Sequence, residues 1–187
     1  MYIDDTPSMP VMEFRTKVQN LVKSKGVRLV VVDYLQLMQG PAELRGMREQ
    51  EVAAISRTLK QTAKELDVPI IALSQLSRQT VQRSGGSGRP QLSDLRESGS
   101  IEQDADMVIF IHRPDALGLS ADPAGKEETQ IIIAKHRNGS VGEIPMIFKS
   151  EQIKFMEQTE ALDVRAASIV ASGINGSPSD DFPNNPF

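Results

Sequence analysis

The stretch RLVVVDYLQLM, residues 28–38, constrains the fold more than any other part of the chain. Its apolar run from Leu29 to Val32 asks for burial on both faces, which is typical of a central strand in a parallel sheet covered by helices. The run ends on Asp33, and a buried carboxylate is costly without a partner. Because ligands bind at the carboxyl ends of strands in open α/β sheets, Asp33 is predicted either to hold Mg²⁺ beside a nucleotide's phosphates or only to cap the turn.

Helical and strand-like patterns alternate on either side of this run. A first helix is predicted with Ser8 as its cap, Pro10 in its first turn and Gly26 past its end. A second helix is predicted from apolar residues at spacings of three and four. These residues are Val52, Ile55, Leu59, Ala63 and Leu66. The next buried strand, VPIIALSQ, ends on the polar Ser74 and Gln75.

Four more strand-like runs follow in close succession: DMVIFIHR, TQIIIAKHR, GEIPMIFK and QIKFME. Alternating helices and strands are typical of a parallel sheet, and closely spaced strands are typical of an antiparallel one. The chain is therefore predicted to be an α/β protein, with a parallel sheet flanked by helices and an antiparallel extension at its C-terminal end.

Composition places the chain among soluble globular proteins. Its 187 residues, 39% hydrophobic and 25% charged, suffice for one sizeable core. The absence of cysteine excludes disulfides and thiolate metal sites. No apolar run reaches the roughly 18 residues of a membrane span, and no signal-peptide pattern is present. We expect a cytoplasmic protein without a membrane partner.

The net charge of −4 is concentrated at one end. Residues 157–187 carry five acids against one base, whereas the preceding 156 residues balance 20 bases with 20 acids. Between Ser74 and Ser93 there are three arginines and no acid, a pattern compatible with binding phosphates; they are Arg78, Arg83 and Arg89. Residues 157–187, poor in large apolar side chains, are predicted to be a disordered acidic tail.

No G-x-x-x-x-G-K-[ST] phosphate loop occurs in the chain. The Gly125-Lys126 pair has Ser120 in the place of the first glycine and Glu127 after the lysine. A nucleotide-binding fold without this loop is expected to be part of something larger, truncated before the phosphate loop.

Four stretches carry a specific resemblance: VVVDYLQLM, PIIALSQLSRQ, LSDLRESGSIEQDADMVIFIHR and IIIAKHRNGSVGEI. In this order and spacing they resemble the C-terminal motor domain of the bacterial replicative DNA helicase, the DnaB family, which has a RecA-like fold. The resemblance covers about residues 1–156, the later two-thirds of such a motor domain. The phosphate loop and catalytic glutamate of the family are not among the residues matched.

The resemblance implies an ATP-driven 5′-to-3′ helicase that works with Mg²⁺ as a homohexameric ring around single-stranded DNA, at the bacterial replication fork. It also implies primase and a helicase loader as partners. The terminal DDFPNNPF is similar to the acidic Pro-Phe ends of bacterial single-stranded DNA-binding proteins, which dock on partner proteins. A tail that only adds solubility is the alternative.

Site residues follow from the resemblance position by position. Asp33 resembles the Mg²⁺-coordinating aspartate, and Gln75 the sensor glutamine, whose amide can both donate and accept. Lys135 and Arg137 stand two apart at a strand end, so their side chains point the same way. The resemblance implies that this pair reaches the neighbouring subunit's ATP. The alternatives are a strand-end amide for Gln75 and a solvated sheet edge for the pair.

The run DLRESGSIEQDAD resembles the loop that lines the central channel, where Arg96, Glu97 and Gly99 match DNA-contacting positions. An arginine beside a glycine can follow a phosphate backbone, with main-chain N–H groups as further donors. Aromatic residues are only 4% of the chain, so we expect electrostatic, sequence-independent binding rather than base stacking. An ion pair of Arg96 with Glu97 or Asp94 is the alternative.

Two other functions remain open. The chain could be another RecA-like ATPase, such as a recombinase or a circadian-clock-type ATPase, and the DLRESGSIEQDAD run argues against that. It could be a non-catalytic binding or assembly module, which the missing phosphate loop favours for this chain. His112 and His136 have no third ligand at metal spacing and are expected to pack or lie at the surface.

Overall fold

The computed structural model describes residues 1–76, 88–117 and 128–158, apart from the side chains of residues 96–99. In chain order the helices and strands are α1 (Val11–Lys25), β1 (Val30–Val32), α2 (Arg48–Leu66), β2 (Ile70–Ala72), α3 (Gly99–Asp104), β3 (Met107–His112), β4 (Glu128–His136), β5 (Gly142–Lys149) and β6 (Lys154–Glu157). Short 3₁₀ helices include Leu35–Leu37 and Leu92–Ser98. None of the helices in these ranges is long and apolar enough to cross a membrane.

Two sheets carry the strands. Strands β1 and β2 pair in parallel, with Val31 opposite Ile71. Strands β3, β4, β5 and β6 form an antiparallel sheet in that order. Phe110 of β3 lies opposite Ile132 of β4, and Phe148 of β5 packs its ring against Phe155 of β6 at 4.8 Å between centroids. The predicted parallel sheet with an antiparallel extension is therefore confirmed.

The first core joins the two long helices to β1. Helices α1 and α2 each turn one apolar face inward, at the spacing of three and four that the sequence shows. The buried members are Val11, Phe14, Val18, Val32, Leu35, Met38, Val52, Ile55 and Leu59. Helix α1 ends at Lys25, and Gly26 lies past its end as predicted, with a φ of +64° in the left-handed conformation that glycine adopts without strain.

The predicted N-terminus of α1 is wrong in detail. Ser8 has a φ of +52° and does not cap the helix, and Pro10 is the N-cap rather than a first-turn residue. The physical reason is that a backbone carbonyl, rather than a capping side chain, accepts a hydrogen bond from the first turn of the helix. The N–H of Val11 donates to the carbonyl of Gln39 at 2.9 Å, so a neighbouring loop satisfies a first-turn donor.

The predicted burial of both faces of the first strand is also wrong for the described residues. Val32 is buried, but Val31 is 57% exposed and its partner Ile71 is 50% exposed. Helices α1 and α2 cover one face of the two-stranded sheet, and the alternation of side chains turns every second residue away from them.

A second core lies on one face of the antiparallel sheet. It consists of Leu95, Val108, Phe110 and Ile132, with Leu76, Leu92, Ala105 and Ala134 packed around it. Strand β3 alternates strictly, so that Val108, Phe110 and His112 point inward. The predicted packing role of His112 is confirmed, since this side chain is buried. Its burial, and then the charge of Arg89, lower the pKa of His112.

Candidate functional site

The carboxyl ends of β1 and β2 bring two predicted site residues to one edge. Pairing continues past both strands, because the N–H of Leu73 donates to the carbonyl of Val32 at 2.9 Å and the N–H of Leu35 donates to the carbonyl of Leu73 at 2.8 Å. Asp33 follows β1 directly, and Gln75 lies just beyond β2, both exposed. We call Asp33, Ser74 and Gln75 the strand-end site.

The residues of the strand-end site suit a magnesium–nucleotide complex better than a protein-caged metal. Within residues 1–76, 88–117 and 128–158, no three acidic or histidine side chains converge as ligands. Mg²⁺ is usually held by one or two carboxylates, with phosphate oxygens and water completing its octahedron. The single exposed carboxylate of Asp33 fits that mode of binding.

Sequence reasoning missed Gln36, which lies in the 3₁₀ helix after Asp33. Its side-chain amide donates to Ser74 Oγ at 2.9 Å and to the main-chain carbonyl of Gln75 at 3.0 Å. This contact depends on the parallel register of β1 and β2, which brings the two loops side by side. A glutamine in a loop carries no sequence signal of such a contact.

Lys135 and Arg137, which we call the cation pair, lie at the end of β4 and directly after it, on the other sheet. Lys135 Nζ donates to the carbonyl of Glu102 at 2.5 Å, and Arg137 Nη2 donates to the carbonyl of Gln103 at 3.1 Å. Both cations therefore bind the C-terminal carbonyls of α3, where the helix dipole favours positive charge. Their contact with the same helix end agrees with the prediction that both side chains point the same way.

Asp106 fastens Arg137 further. Its carboxylate lies 3.1 Å from Arg137 Nη1, and its carbonyl accepts the N–H of Arg137 at 2.8 Å. Lys60 of α2 also contacts the Asp106 carboxylate. The hydrogen bond from Lys60 and the charge of Arg137 hold the pKa of Asp106 below its ordinary value. Sequence reasoning missed both Asp106 and Lys60, because neither is near the pair in the chain.

A β-bulge lies beside the cation pair. Val108 of β3 is opposite Lys135, but the next residue, Ile109, is opposite Ile133, so Ala134 is an extra residue in β4. Bulges of this kind re-aim side chains and are frequent next to functional sites.

The predicted DNA-contacting residues lie between the two sites in the chain. Arg96 and Glu97 belong to the 3₁₀ helix Leu92–Ser98, and Gly99 begins α3. Their side chains lie outside the described residues. Leu95 is buried in the second core, so this stretch is anchored directly before Arg96.

The remaining predictions divide between described and undescribed residues. Arg89 forms an ion pair with Glu143 of β5 and donates to the side chain of Gln130 at 3.2 Å. It is therefore engaged with the antiparallel sheet rather than part of a purely solvent-facing basic loop. Glu157, the first residue of the predicted tail, instead pairs with Met146 at the end of β6. Arg78, Arg83, Gly125, Lys126 and residues 159–187 lie outside the described residues.

Comparison with known proteins gives one consistent result. The family model of the DnaB-like helicase C-terminal domain matches residues 1–157. The chain is 49% identical over 163 residues to the replicative DNA helicase DnaB of Geobacillus stearothermophilus, and 48% identical over 163 residues to the replicative DNA helicase DnaC of Bacillus subtilis. Each match covers 87% of this chain but only 35% of the relative.

Solved structures agree with the sequence matches. The ATPase domain of G40P superposes with a TM-score of 0.70 at 44% identity, covering 80% of this chain and 51% of that one. A DnaB-like replicative helicase, described with its interactions with primase, superposes with a TM-score of 0.69 at 44% identity, covering 80% of this chain and 35% of that one. The predicted RecA-like fold class and the resemblance to replicative helicases are confirmed.

Proposed function

This chain belongs to the family of DnaB-like helicase C-terminal domains, and on that premise we propose that the protein is an ATP-driven replicative DNA helicase. It moves 5′ to 3′ on single-stranded DNA as a ring of six subunits and unwinds the duplex at the bacterial replication fork. The observation that carries the proposal is the shared edge of β1 and β2, beyond which both Asp33 and Gln75 lie exposed.

In the strand-end site, Asp33 would hold Mg²⁺ through its exposed carboxylate. The ion would supply positive charge beside the phosphates of ATP. Gln75 contacts the γ-phosphate through its side-chain amide, which accepts from one group while donating to another. Through this contact, the presence or absence of the γ-phosphate affects the segment that follows Gln75 and leads to the DNA-contacting stretch.

The cation pair acts on the nucleotide of the neighbouring subunit. Lys135 and Arg137 stabilise the charge that develops on the transferred phosphoryl group, a contribution worth about 10³ to 10⁵ in turnover for such an arginine. Hydrolysis then depends on ring closure, because one subunit supplies Asp33 and the next supplies Arg137.

DNA is bound through its backbone by the stretch around Arg96, Glu97 and Gly99. Main-chain N–H groups and an arginine contact phosphate without reading the bases, so binding is independent of sequence. Primase and a helicase loader are the proposed protein partners. Primase finds support in the related helicase that is described with its primase interactions. The Pro-Phe end of the tail is a further docking segment.

A mixing experiment with the complete protein tests this proposal. Asp33→Asn and Arg137→Ala should each abolish ATP hydrolysis, and Arg137→Ala should leave nucleotide binding nearly intact. Rings that contain both mutants should recover part of the activity, because one kind of interface then has an intact Asp33 and an intact Arg137. Mixed rings proven to contain both subunits but without recovery would place Arg137 in its own subunit's site.

The 187-residue chain alone should neither hydrolyse ATP nor unwind DNA. It contains no glycine-rich loop with a lysine to cradle the β- and γ-phosphates. The measurement is phosphate release by the purified chain with Mg²⁺, with Asp33→Asn as its control. Turnover that Asp33→Asn abolishes would contradict the expectation.

A further inference from the structure

We propose that Gln36 is the positioning residue of the strand-end site, which fixes the main chain at Gln75 so that the Gln75 side chain meets the nucleotide. The inference rests on the proposed function, because it needs a nucleotide at this edge. Gln36 lies in the short 3₁₀ helix Leu35–Leu37, three residues after Asp33, so one loop would carry both the metal-binding carboxylate and the residue that positions Gln75.

The hydrogen bonds of Gln36 imitate a sheet ladder. Its Nε2 donates to the carbonyl of Gln75 at 3.0 Å, and its Oε1 accepts the N–H of Gln75 in a longer bond of 3.3 Å. The second hydrogen of the same nitrogen goes to Ser74 Oγ at 2.9 Å. The side-chain amide thus pairs with the main chain of Gln75 where the pairing between the two strands has ended.

The orientation of the amide follows from its partners. A main-chain carbonyl can only accept and a main-chain N–H can only donate, so Nε2 must face the carbonyl of Gln75 and Oε1 must face its N–H. A carboxylate in place of this amide would place one of its oxygens against the carbonyl of Gln75, so that two acceptors would face each other. The site is therefore specific for glutamine over glutamate, although the two side chains have the same shape.

Contacts with α2 and with the first core hold Gln36 itself in place. Its carbonyl accepts from Arg48 Nη2 at 2.8 Å, and Arg48 is paired with Glu51 on the first turns of α2. Glu51 also accepts the N–H of Gly40 at 3.0 Å, and a Cβ on Gly40 would lie 2.5 Å from Glu51 Cγ. Leu35, buried in the first core, anchors the same loop beside Gln36. The loop that carries Gln36 is therefore attached both to α2 and to the first core.

The segment after Gln75 is held by a different kind of contact. Leu76 packs against the second core. Gln75 therefore lies between a polar contact on one side and an apolar anchor on the other. The side-chain hydrogen bonds of Gln36 go to the Gln75 main chain and to Ser74, and Gln75 itself is exposed. A sensor needs this combination of a fixed main chain and an available side chain.

The test uses the complete helicase and measures DNA-stimulated ATP hydrolysis. Gln36→Glu should lower kcat by about 10- to 100-fold, because a misplacement near 1 Å can cost that much, while the KM for ATP changes little. Gln39→Glu is the matched control: it makes the same chemical change three residues further along, where the residue pairs with its neighbours through its backbone. Ser74→Ala, a milder variant, should give a smaller loss of kcat and serves if Gln36→Glu does not assemble.

A double-mutant cycle separates positioning from general stability. In a Gln75→Ala background, Gln36→Glu should cost almost nothing further in kcat, because its effect passes through Gln75. Losses that multiply in the double mutant, or equal losses for Gln36→Glu and Gln39→Glu, would overturn the inference. Asp33→Asn is measured in parallel. If that variant keeps full activity, the proposed function fails first, and the two failures are thus distinguishable.

Discussion

The strand-end site and the cation pair are held in opposite ways. At the strand-end site the contacts fix the main chain, and the Asp33 carboxylate and Gln75 amide face solvent. In the cation pair the charged groups themselves are bound, Lys135 to the end of α3 and Arg137 to α3 and Asp106. The first arrangement can receive a ligand without losing a contact. The second holds its charged groups in contacts within the same chain, so the proposed role toward a neighbouring subunit would require exchanging those contacts for new ones.

The largest expected effect concerns the two cores behind these sites. Ile55 is 0% exposed in the first core, and Ile132 is 7% exposed in the second. Ile55→Ala should lower the free energy of unfolding by about 4–5 kcal/mol, and Ile132→Ala by about 2–3 kcal/mol, within the range for such truncations. Urea unfolding measures both. A larger loss for Ile132→Ala would reverse the comparison, since the core behind the cation pair would then be the firmer one.

A second prediction concerns the stretch that leads into α3. Arg96→Ala in the complete protein should weaken single-stranded DNA binding several-fold for all sequences and reduce the slope of log K against log salt by about 0.7. Arg57→Ala, which removes an exposed arginine from α2, is the control and should leave the slope unchanged. A loss confined to particular base sequences would argue against recognition of the DNA backbone.

The two regions should also differ in their response to pH. Both histidines of the chain, His112 and His136, lie on β3 and β4, so the strand-end site has none. Because the folded-state pKa of His112 lies below the ordinary 6.5, the unfolded chain binds more protons as the pH falls below that value. The free energy of unfolding should therefore decrease between pH 7 and pH 5.

Substitution of the histidines checks this origin. His112→Gln should flatten the decrease in unfolding free energy between pH 7 and pH 5, measured by urea unfolding at each pH. His136→Gln provides the control with the other histidine. An unchanged slope in the His112→Gln protein would remove the buried imidazole from the explanation.

The smallest expected effect is at the C-terminus. Deletion of residues 159–187 should leave the Tm within about a degree or two, because the segment has little large apolar surface with which to order itself. Thermal unfolding followed by circular dichroism measures it. A drop of many degrees would mean that the segment packs on one of the two cores.

Much of this molecule could be predicted from its sequence, because its helices and strands have clear periodicity. Asp33 and Gln75 were recognisable as strand-end residues because each follows an apolar run, and the family resemblance then implied their roles. Ser8 was misassigned because a carbonyl 31 positions away in the chain, at Gln39, took over the capping. The partners of Gln36 and Arg137 were unpredictable for the same reason, because they depend on register and packing between distant segments.

The extra residue in β4 determines which face of the sheet the cation pair points to. Neighbours across a ladder share a face, so in a regular ladder Val108 would stand beside Ala134, and Lys135 would point to the opposite face. With the bulge, Ala134 packs on the second core while Lys135 reaches α3 on the same side. The alternation of β4 side chains between the two faces of the sheet is therefore shifted by one residue at the bulge. Deletion of a single residue at this point would remove that shift. Either the cation pair or the isoleucines before it would then face the opposite side of the sheet.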